Sequence, residues 1–503
     1  MDNKKKTTYN FVFSLLSQIL TIAMGLIIPR ITLVGYGSEV NGLLNSVTQF
    51  IAYLILFEAG VQIVATQSLY KAVGNNDQQE TNEILSAVNK SYRRIGLFYF
   101  CGLLLLSLVY PIFTKTETIS YITIFLVVFF SGIGNVVVFF FQGKYKILLT
   151  VEGKSYILTN INIVISILNH AVKIILLYFG VNVAIIIIAS FVISLLQMVY
   201  IVIYIKRKYK WIDLSAKPKF EALKQSKAAL IHQISGLIFA NTDVFLLTIF
   251  CGLKVVSVYS VYKLINDYIF NFLKIPVDSC SFAMGQQFNT QKDKYIKSVD
   301  TLEVLLASLS FSMFVIVLVL ILPFIALYTK GVEDVCYVDK KLAILFVCYE
   351  LLNLSRLPMM NTINYAGHFQ QTISRTIIES SINLVVSVMG VFKFGIYGVL
   401  IGTIVALLYR TVDIIIYANK RLLNRSPIKT FFIYALNLVL FLLAYFTIGL
   451  FNIEINGYLD FVKYGFIITP VVVIVFFIVN GLVFRKDFSG IFDLLKSRKR
   501  SKV

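Results

Sequence analysis

Apolar runs of roughly 18 or more residues recur along the whole chain and are separated by short polar segments, the length a helix needs to cross a bilayer core. They predict spans near 10–31, 42–66, 95–114, 119–141, 156–178, 182–205, 229–250, 256–277, 301–328, 340–362, 374–393, 396–417, 429–450 and 461–484. The expected fold class is therefore an all-α polytopic membrane protein with about 14 transmembrane helices. The first run follows Lys4-Lys5-Lys6, as a signal peptide would, but it is about 20 residues long, lacks an A-x-A site and precedes many more spans. It reads as a retained first helix.

Lysine and arginine set the orientation. With both termini inside, the inside segments hold 33 of the 46 basic residues and the outside segments and outer helix ends hold eight. The excess predicts cytoplasmic termini and an even number of spans. The outside loops are all short, which leaves no room there for an extramembrane domain. Three inside segments read as amphipathic surface helices: 78–94, with Ile84, Leu85, Val88 and Tyr92 on one face; 217–228, with Phe220 and Leu223 among lysines; and the basic tail 485–503.

An offset of 215 residues reveals an internal repeat. Leu15, Gln18 and Ile19 fall on Leu230, Gln233 and Ile234; Gly37, Val40, Tyr53 and Phe57 fall on Gly252, Val255, Tyr268 and Phe272; Ser166, Ile167, Phe179 and Gly180 fall on Ser381, Ile382, Phe394 and Gly395. The repeat holds six spans, an even number, so its two copies run the same way through the membrane and predict a pseudo-two-fold axis along the membrane normal. The implied organisation is a first six-helix lobe over 1–205, a basic linker over 206–228, a second lobe over 229–428, two further spans over 429–484 and the tail 485–503.

Composition agrees with the spans. The chain is 58% hydrophobic and 14% charged, against roughly 25% charged in a soluble domain. Its net charge of +20 follows from positive cytoplasmic loops and does not require nucleic acid. The five cysteines are scattered, and the three histidines sit in no zinc-protease pattern, so neither a disulfide framework nor a metal site is expected. No nucleotide loop, dinucleotide fingerprint or hydrolase elbow is present, so no cofactor and no chemical step are expected. A chain without an ATP site that moved a substrate would draw on an ion gradient, the membrane potential or the substrate gradient.

Charged side chains inside spans are expensive and usually face a cavity or a partner. The candidates are Glu58, Lys173 with His170, Asp243, Lys263 with Asp267, Glu350, Arg356, Glu379, and Arg410 with Asp413. The pairs Lys263–Asp267 and Arg410–Asp413 are four and three residues apart, which brings their heads onto one helix face. Glu58 and Asp243 have no partner on their own helices and read as cavity or cation-carrying groups. Lys173 is either a cavity cation or a lysine that snorkels outward. Glu350 and Glu379 read as interfacial. Arg30 follows Pro29, which can bend the outer end of span 1.

The strings Ile28-Pro29-Arg30, Gly35-Tyr36-Gly37-Ser38-Glu39-Val40-Asn41-Gly42, Phe57-Glu58-Ala59-Gly60, Leu69-Tyr70-Lys71, Asn241-Thr242-Asp243-Val244 and Val258-Tyr259-Ser260-Val261-Tyr262 resemble bacterial Wzx-type polysaccharide flippases of the multidrug/oligosaccharidyl-lipid/polysaccharide (MOP) exporter superfamily. The resemblance implies two six-helix lobes. It implies a non-enzymatic flippase that turns an undecaprenyl-diphosphate-linked oligosaccharide across the bacterial cytoplasmic membrane by alternating access, for capsule, exopolysaccharide or O-antigen synthesis. Arg30, Lys173, Lys263 and Arg356 are then expected to meet the substrate, and Glu58, Asp243 and Asp267 to serve as polar or coupling groups. The expected partners are that lipid-linked glycan, a coupling H+ or Na+, membrane lipids and other polysaccharide-assembly proteins, with no nucleic acid. Two alternatives stand beside it: a multidrug or cation exporter of the same superfamily, whose cavity would be dominated by carboxylates and aromatics, and a membrane glycan polymerase or ligase, which the short outside loops disfavour.

Overall fold

The computed structural model describes residues 3–58, 61–114, 116, 118–223, 227–451 and 454–487. Sixteen α-helices are found among them. They are α1 (Asn3–Leu54), α2 (Val61–Gly74), α3 (Gln78–Phe113), α4 (Tyr121–Val137), α5 (Gly143–Val151), α6 (Ser155–Tyr178), α7 (Val183–Lys208) and α8 (Lys227–Phe250), followed by α9 (Leu253–Thr290), α10 (Lys292–Tyr328), α11 (Lys340–Ser355), α12 (Leu357–Tyr365), α13 (Phe369–Phe394), α14 (Ile396–Tyr417), α15 (Ile428–Gly449) and α16 (Tyr458–Val483). Ten segments among the described residues are long and apolar enough to cross a membrane. Predicted span 1 and the first part of predicted span 2 lie in α1, which Gly37 breaks with φ 80° and ψ 177°; the rest of span 2 passes through a 3-10 turn, Ile55–Glu58, and reaches α2. A side chain at that φ would clash with the following carbonyl, so glycine is the residue that permits the break.

Contacts divide the chain into two compact units, 1–257 with 331–335, and 258–330 with 336–503. Helix α8, which the sequence repeat groups with the second lobe, packs on α1 in the first unit. Asn41 Nδ2 donates to Ser257 Oγ at 2.7 Å, Ser46 Oγ lies 2.6 Å from Thr248 Oγ1, Tyr110 donates to Ser46 at 2.7 Å, and the Phe50 and Phe245 rings lie 4.8 Å apart. Gly42 makes this approach possible, since a Cβ there would sit 1.9 Å from the Leu253 carbonyl oxygen. The segment 331–335 joins the unit through Asp334, which accepts from the Ser38 amide at 2.8 Å and from its hydroxyl at 2.6 Å.

The 215-residue repeat is visible in the backbone. Helix α3 (Gln78–Phe113) has its counterpart in α10 (Lys292–Tyr328), and α6 (Ser155–Tyr178) in α13 (Phe369–Phe394). The turns recur as well: Gly37 and Gly252 take φ 80° and 86°, and Gly180 and Gly395 take φ 66° and 55°. Within the second unit, α13 and α14 meet through small residues. A Cβ on Gly398 would lie 2.0 Å from the Gly390 carbonyl oxygen, and one on Gly402 would lie 2.2 Å from Ser387 Oγ. Bare backbones of this kind let membrane helices pack at short range.

The expected surface helix over 78–94 is not separate. It is the first half of α3, whose start is capped by Asp77 accepting from the Glu80 amide at 2.9 Å. Ile84, Leu85, Val88 and Tyr92 are buried in the core rather than laid on a membrane surface, because α2, α5 and the linker close over them. Asn82 Nδ2 donates to the Trp211 carbonyl at 3.1 Å, Ser86 Oγ to Leu214 at 3.1 Å, Ser68 Oγ to Ala222 at 2.7 Å, and Lys219 pairs with Glu80 at 2.7 Å. The hydrogen bond and charge of Glu80 hold the exposed Lys219 ammonium above its usual pKa range. In place of the surface helix expected over 217–228, one turn of 3-10 helix covers Phe220–Leu223, and residues 224–226 lie outside the described ones. Most of the predicted tail helix, from residue 488 on, also lies outside them.

Candidate functional site

In the second unit, the junction between α11 and α12 places Arg356 at a helix end, followed by Leu357 and Pro358. Its Nη1 donates to Glu379 Oε1 at 2.7 Å, while Nε and Nη2 reach Asn353 Oδ1 at 3.2 and 2.9 Å. Arg410 Nε lies 3.3 Å from Glu379 Oε2, Arg410 Nη1 donates to Asp413 at 2.8 Å, and Arg375 pairs with Asp413 while lying 4.7 Å from the centre of the Tyr417 ring. Three guanidiniums from three elements thus share two carboxylates. Arg410 and Glu379 are 5% and 6% exposed, so the charges of the cluster are offset by its own members rather than by water.

This arrangement bears on two expectations. Arg356, expected as a cavity cation, makes an ion pair with Glu379. The sequence suggests Glu379 and Glu350 as interfacial, but they are 6% and 1% exposed. Sequence position along a span cannot reveal that neighbouring helices close over a residue. Lys263 lies nearby in chemistry: its Nζ is 3.3 Å from Asp267 Oδ1 and 5.9 Å from the centre of the Tyr349 ring. Both Lys263 and Arg356 act through space on Glu350, whose Oε2 is buried without a hydrogen-bond partner among the described residues.

In the first unit, Glu58 ends the 3-10 turn Ile55–Glu58 that interrupts predicted span 2. It accepts from Tyr92 Oη on α3 at 2.6 Å, and Lys146 on α5 acts on it through space. Predicted span 4 continues past its expected end at 141 through a π-helical turn, Val138–Gln142, into α5. Such turns insert an extra residue into the helix and are frequent at functional sites. Gly143, just after the turn, packs its backbone on the Tyr92 ring, where a Cβ would lie 2.5 Å from Cε2. Lys144 is buried and donates to Asn89 Oδ1 at 2.7 Å and to the Phe140 carbonyl at 3.2 Å.

The remaining predicted residues are spread over the first unit. Asp243 is buried on α8 beside Thr242, within electrostatic reach of Tyr53. Arg30 is half-buried on α1 next to Pro29. Lys173 is half-buried on α6, with His170 three residues before it. The structure therefore brings together Lys263 with Asp267, and Arg356 with Glu379 and Arg410. It also gives Glu58 a partner, Tyr92, that sequence reasoning misses, since nothing along the chain announces a pairing 34 residues away. Lys144 and Lys146 escape sequence reasoning because both fall in a predicted loop; the apolar run Ile147-Leu148-Leu149 that follows them is the available signal.

No family model matches the chain, and no curated protein matches it. Solved structures do. The lipid II flippase MurJ in an inward closed conformation matches with a TM-score of 0.63 at 14% identity, over 94% of this chain and 99% of that one. An inward-facing multidrug resistance MATE family transporter of the MOP superfamily matches with a TM-score of 0.59 at 15% identity, over 80% of this chain and 94% of its own. A point mutant of the Vibrio cholerae MATE transporter VcmN gives 0.51 at 14% identity, over 84% and 98%. The chain has the fold of MOP-superfamily transporters. With ten candidate spanning segments among its described residues it is a multi-pass membrane protein, and the solved structures named above are transporters and a flippase.

Proposed function

We propose that the protein is a flippase that turns an undecaprenyl-diphosphate-linked oligosaccharide repeat unit across the bacterial cytoplasmic membrane, with both termini cytoplasmic. The observation that carries this reading is the extent of the likeness to the lipid II flippase. At 94% coverage, too little of the chain remains outside the match to omit both α15 and α16, the helices that lie beyond the six-span repeat. The MATE neighbours cover 80% and 84% of the chain. A lipid-linked substrate supports such an addition, since its tail stays in the bilayer while its head crosses. The repeat sets the proposed moving parts, the lobes 1–205 and 229–428, with 206–228 as the tether. Arg30, Lys173, Lys263 and Arg356 are the proposed contacts for the diphosphate, because ammonium and guanidinium groups replace its lost hydration. Glu58, Asp243 and Asp267 are the proposed coupling groups for H+ or Na+.

A multidrug or cation exporter is the second reading. The pairing of Arg356 with Glu379 and of Lys263 with Asp267 favours it, because it removes net positive charge that a diphosphate would use. Cells lacking the gene separate the two. The flippase reading expects unchanged sensitivity to cationic drugs and loss of surface polysaccharide. Drug hypersensitivity with normal surface polysaccharide would establish the second reading instead.

A further inference from the structure

Helix α6 carries a polar lane that the proposed site does not use, save for Lys173 at its end. At 3.6 residues per turn, Thr159, Asn162, Ser166, Asn169, His170 and Lys173 fall within an arc of about 100°. The lane rises about 21 Å at 1.5 Å per residue, against about 30 Å for the hydrocarbon core. The opposite side is greasy and open: Val164, Leu168 and Ile175 are 47%, 42% and 53% exposed. A bilayer tolerates such a stripe only where it meets protein or water. The described residues do not fully satisfy it. Gln197 on α7 hydrogen-bonds Asn162, but Asn169 Oδ1 and His170 Nδ1 are shielded from solvent and have no hydrogen-bond partner among the described residues. Buried polar groups left in this way cost stability and point to a missing partner.

The chemistry of the lane selects that partner. It contains no carboxylate, its one permanent cation is Lys173, and the rest are carboxamides, hydroxyls and an imidazole. These groups both donate and accept hydrogen bonds, which matches the hydroxyls of a neutral sugar better than a phosphate or a metal ion. We infer that the polar face of α6, centred on Asn162, Asn169 and His170, binds the sugar hydroxyls of the transported head group. The inference rests on the reading of the protein as a carrier of lipid-linked glycans and adds the surface that recognises the glycan part.

The test uses the full-length protein in its native membrane, with its five cysteines replaced and single cysteines introduced as Asn169→Cys, Asn162→Cys and, on the lipid face, Leu168→Cys. A membrane-impermeant maleimide is applied to vesicles of both orientations, prepared from cells that make lipid-linked repeat units and from cells blocked in their first glycosyl transfer. We expect labelling at 162 and 169 but not at 168, and labelling at 169 slowed several-fold where the units are present. Absence of labelling at both lane positions in both vesicle orientations, with the protein present by immunoblot, overturns the lane. Labelling that the lipid-linked units do not slow overturns the sugar assignment. Either failure is distinct from failure of the flippase reading, which shows instead as no accumulation of lipid-linked units when the gene is deleted.

Discussion

Glu379→Gln removes one negative charge from the buried cluster of the second unit with little change in shape. Arg410 keeps Asp413 at 2.8 Å, and Arg375 keeps the same carboxylate. Arg356 loses its carboxylate at 2.7 Å and keeps the neutral Asn353, at 2.9 and 3.2 Å, with its side chain 14% exposed. Removing one partner of a buried ion pair costs about 3–5 kcal/mol, most of it the cost of the charge left behind. At about 2 °C per kcal/mol for a unit of this size, Tm falls on the order of 6–10 °C. The second variant, Glu379→Gln with Arg356→Met, removes that charge and recovers more than half of the loss. The assay is thermal unfolding of the detergent-solubilised protein followed by a thiol-reactive dye, since Cys251 and Cys280 are only partly exposed in the fold. A single variant as stable as the parent, or a double variant no better than the single, would refute the assignment of Arg356 as a charge held in place by Glu379.

Neutralising Asp243 or Lys263 as alanine variants should abolish export with normal membrane insertion, read by surface polysaccharide and immunoblot; full activity in both would sink their proposed roles. Glu58→Gln and Tyr92→Phe should reduce export to a similar degree, because the first removes the charge on the acceptor of the 2.6 Å hydrogen bond and the second removes its donor; a defect in only one would show that the pair does not act together. Gly42→Leu places atoms where the Leu253 carbonyl already lies, 1.9 Å from the first added carbon. Overpacking of this kind costs about 1–3 kcal/mol, so thermal stability should drop, whereas Gly35→Leu, with nothing within 4 Å, should be neutral.

The hydrophobic pattern locates the spans because a membrane helix advertises itself through length alone, and the 215-residue offset anticipates paired glycines that the backbone confirms at Gly37 and Gly252 and at Gly180 and Gly395. Boundaries are less legible where polar residues continue a helix. Gln142, Lys144 and Lys146 look like a loop, yet a π-helical turn carries the chain through them, and packing on Asn89 and Tyr92 satisfies what the sequence shows as unwelcome charge. The ion pairs within one helix follow from spacing, as with Lys263 and Asp267. The pairs between helices do not: Arg356 meets Glu379, and Glu58 meets Tyr92, only because the fold brings distant segments together.

The central claim is transport of a lipid-linked glycan without chemistry, and its most direct measurement is the leaflet position of that glycan. Deleting the gene and measuring lipid-linked repeat units should show complete units accumulating on the cytoplasmic side, with unchanged composition, and their return to normal when the wild-type gene is restored. Normal turnover of those units in the deletion strain, or accumulation of shorter incomplete units that indicate a lost synthetic step, would contradict it.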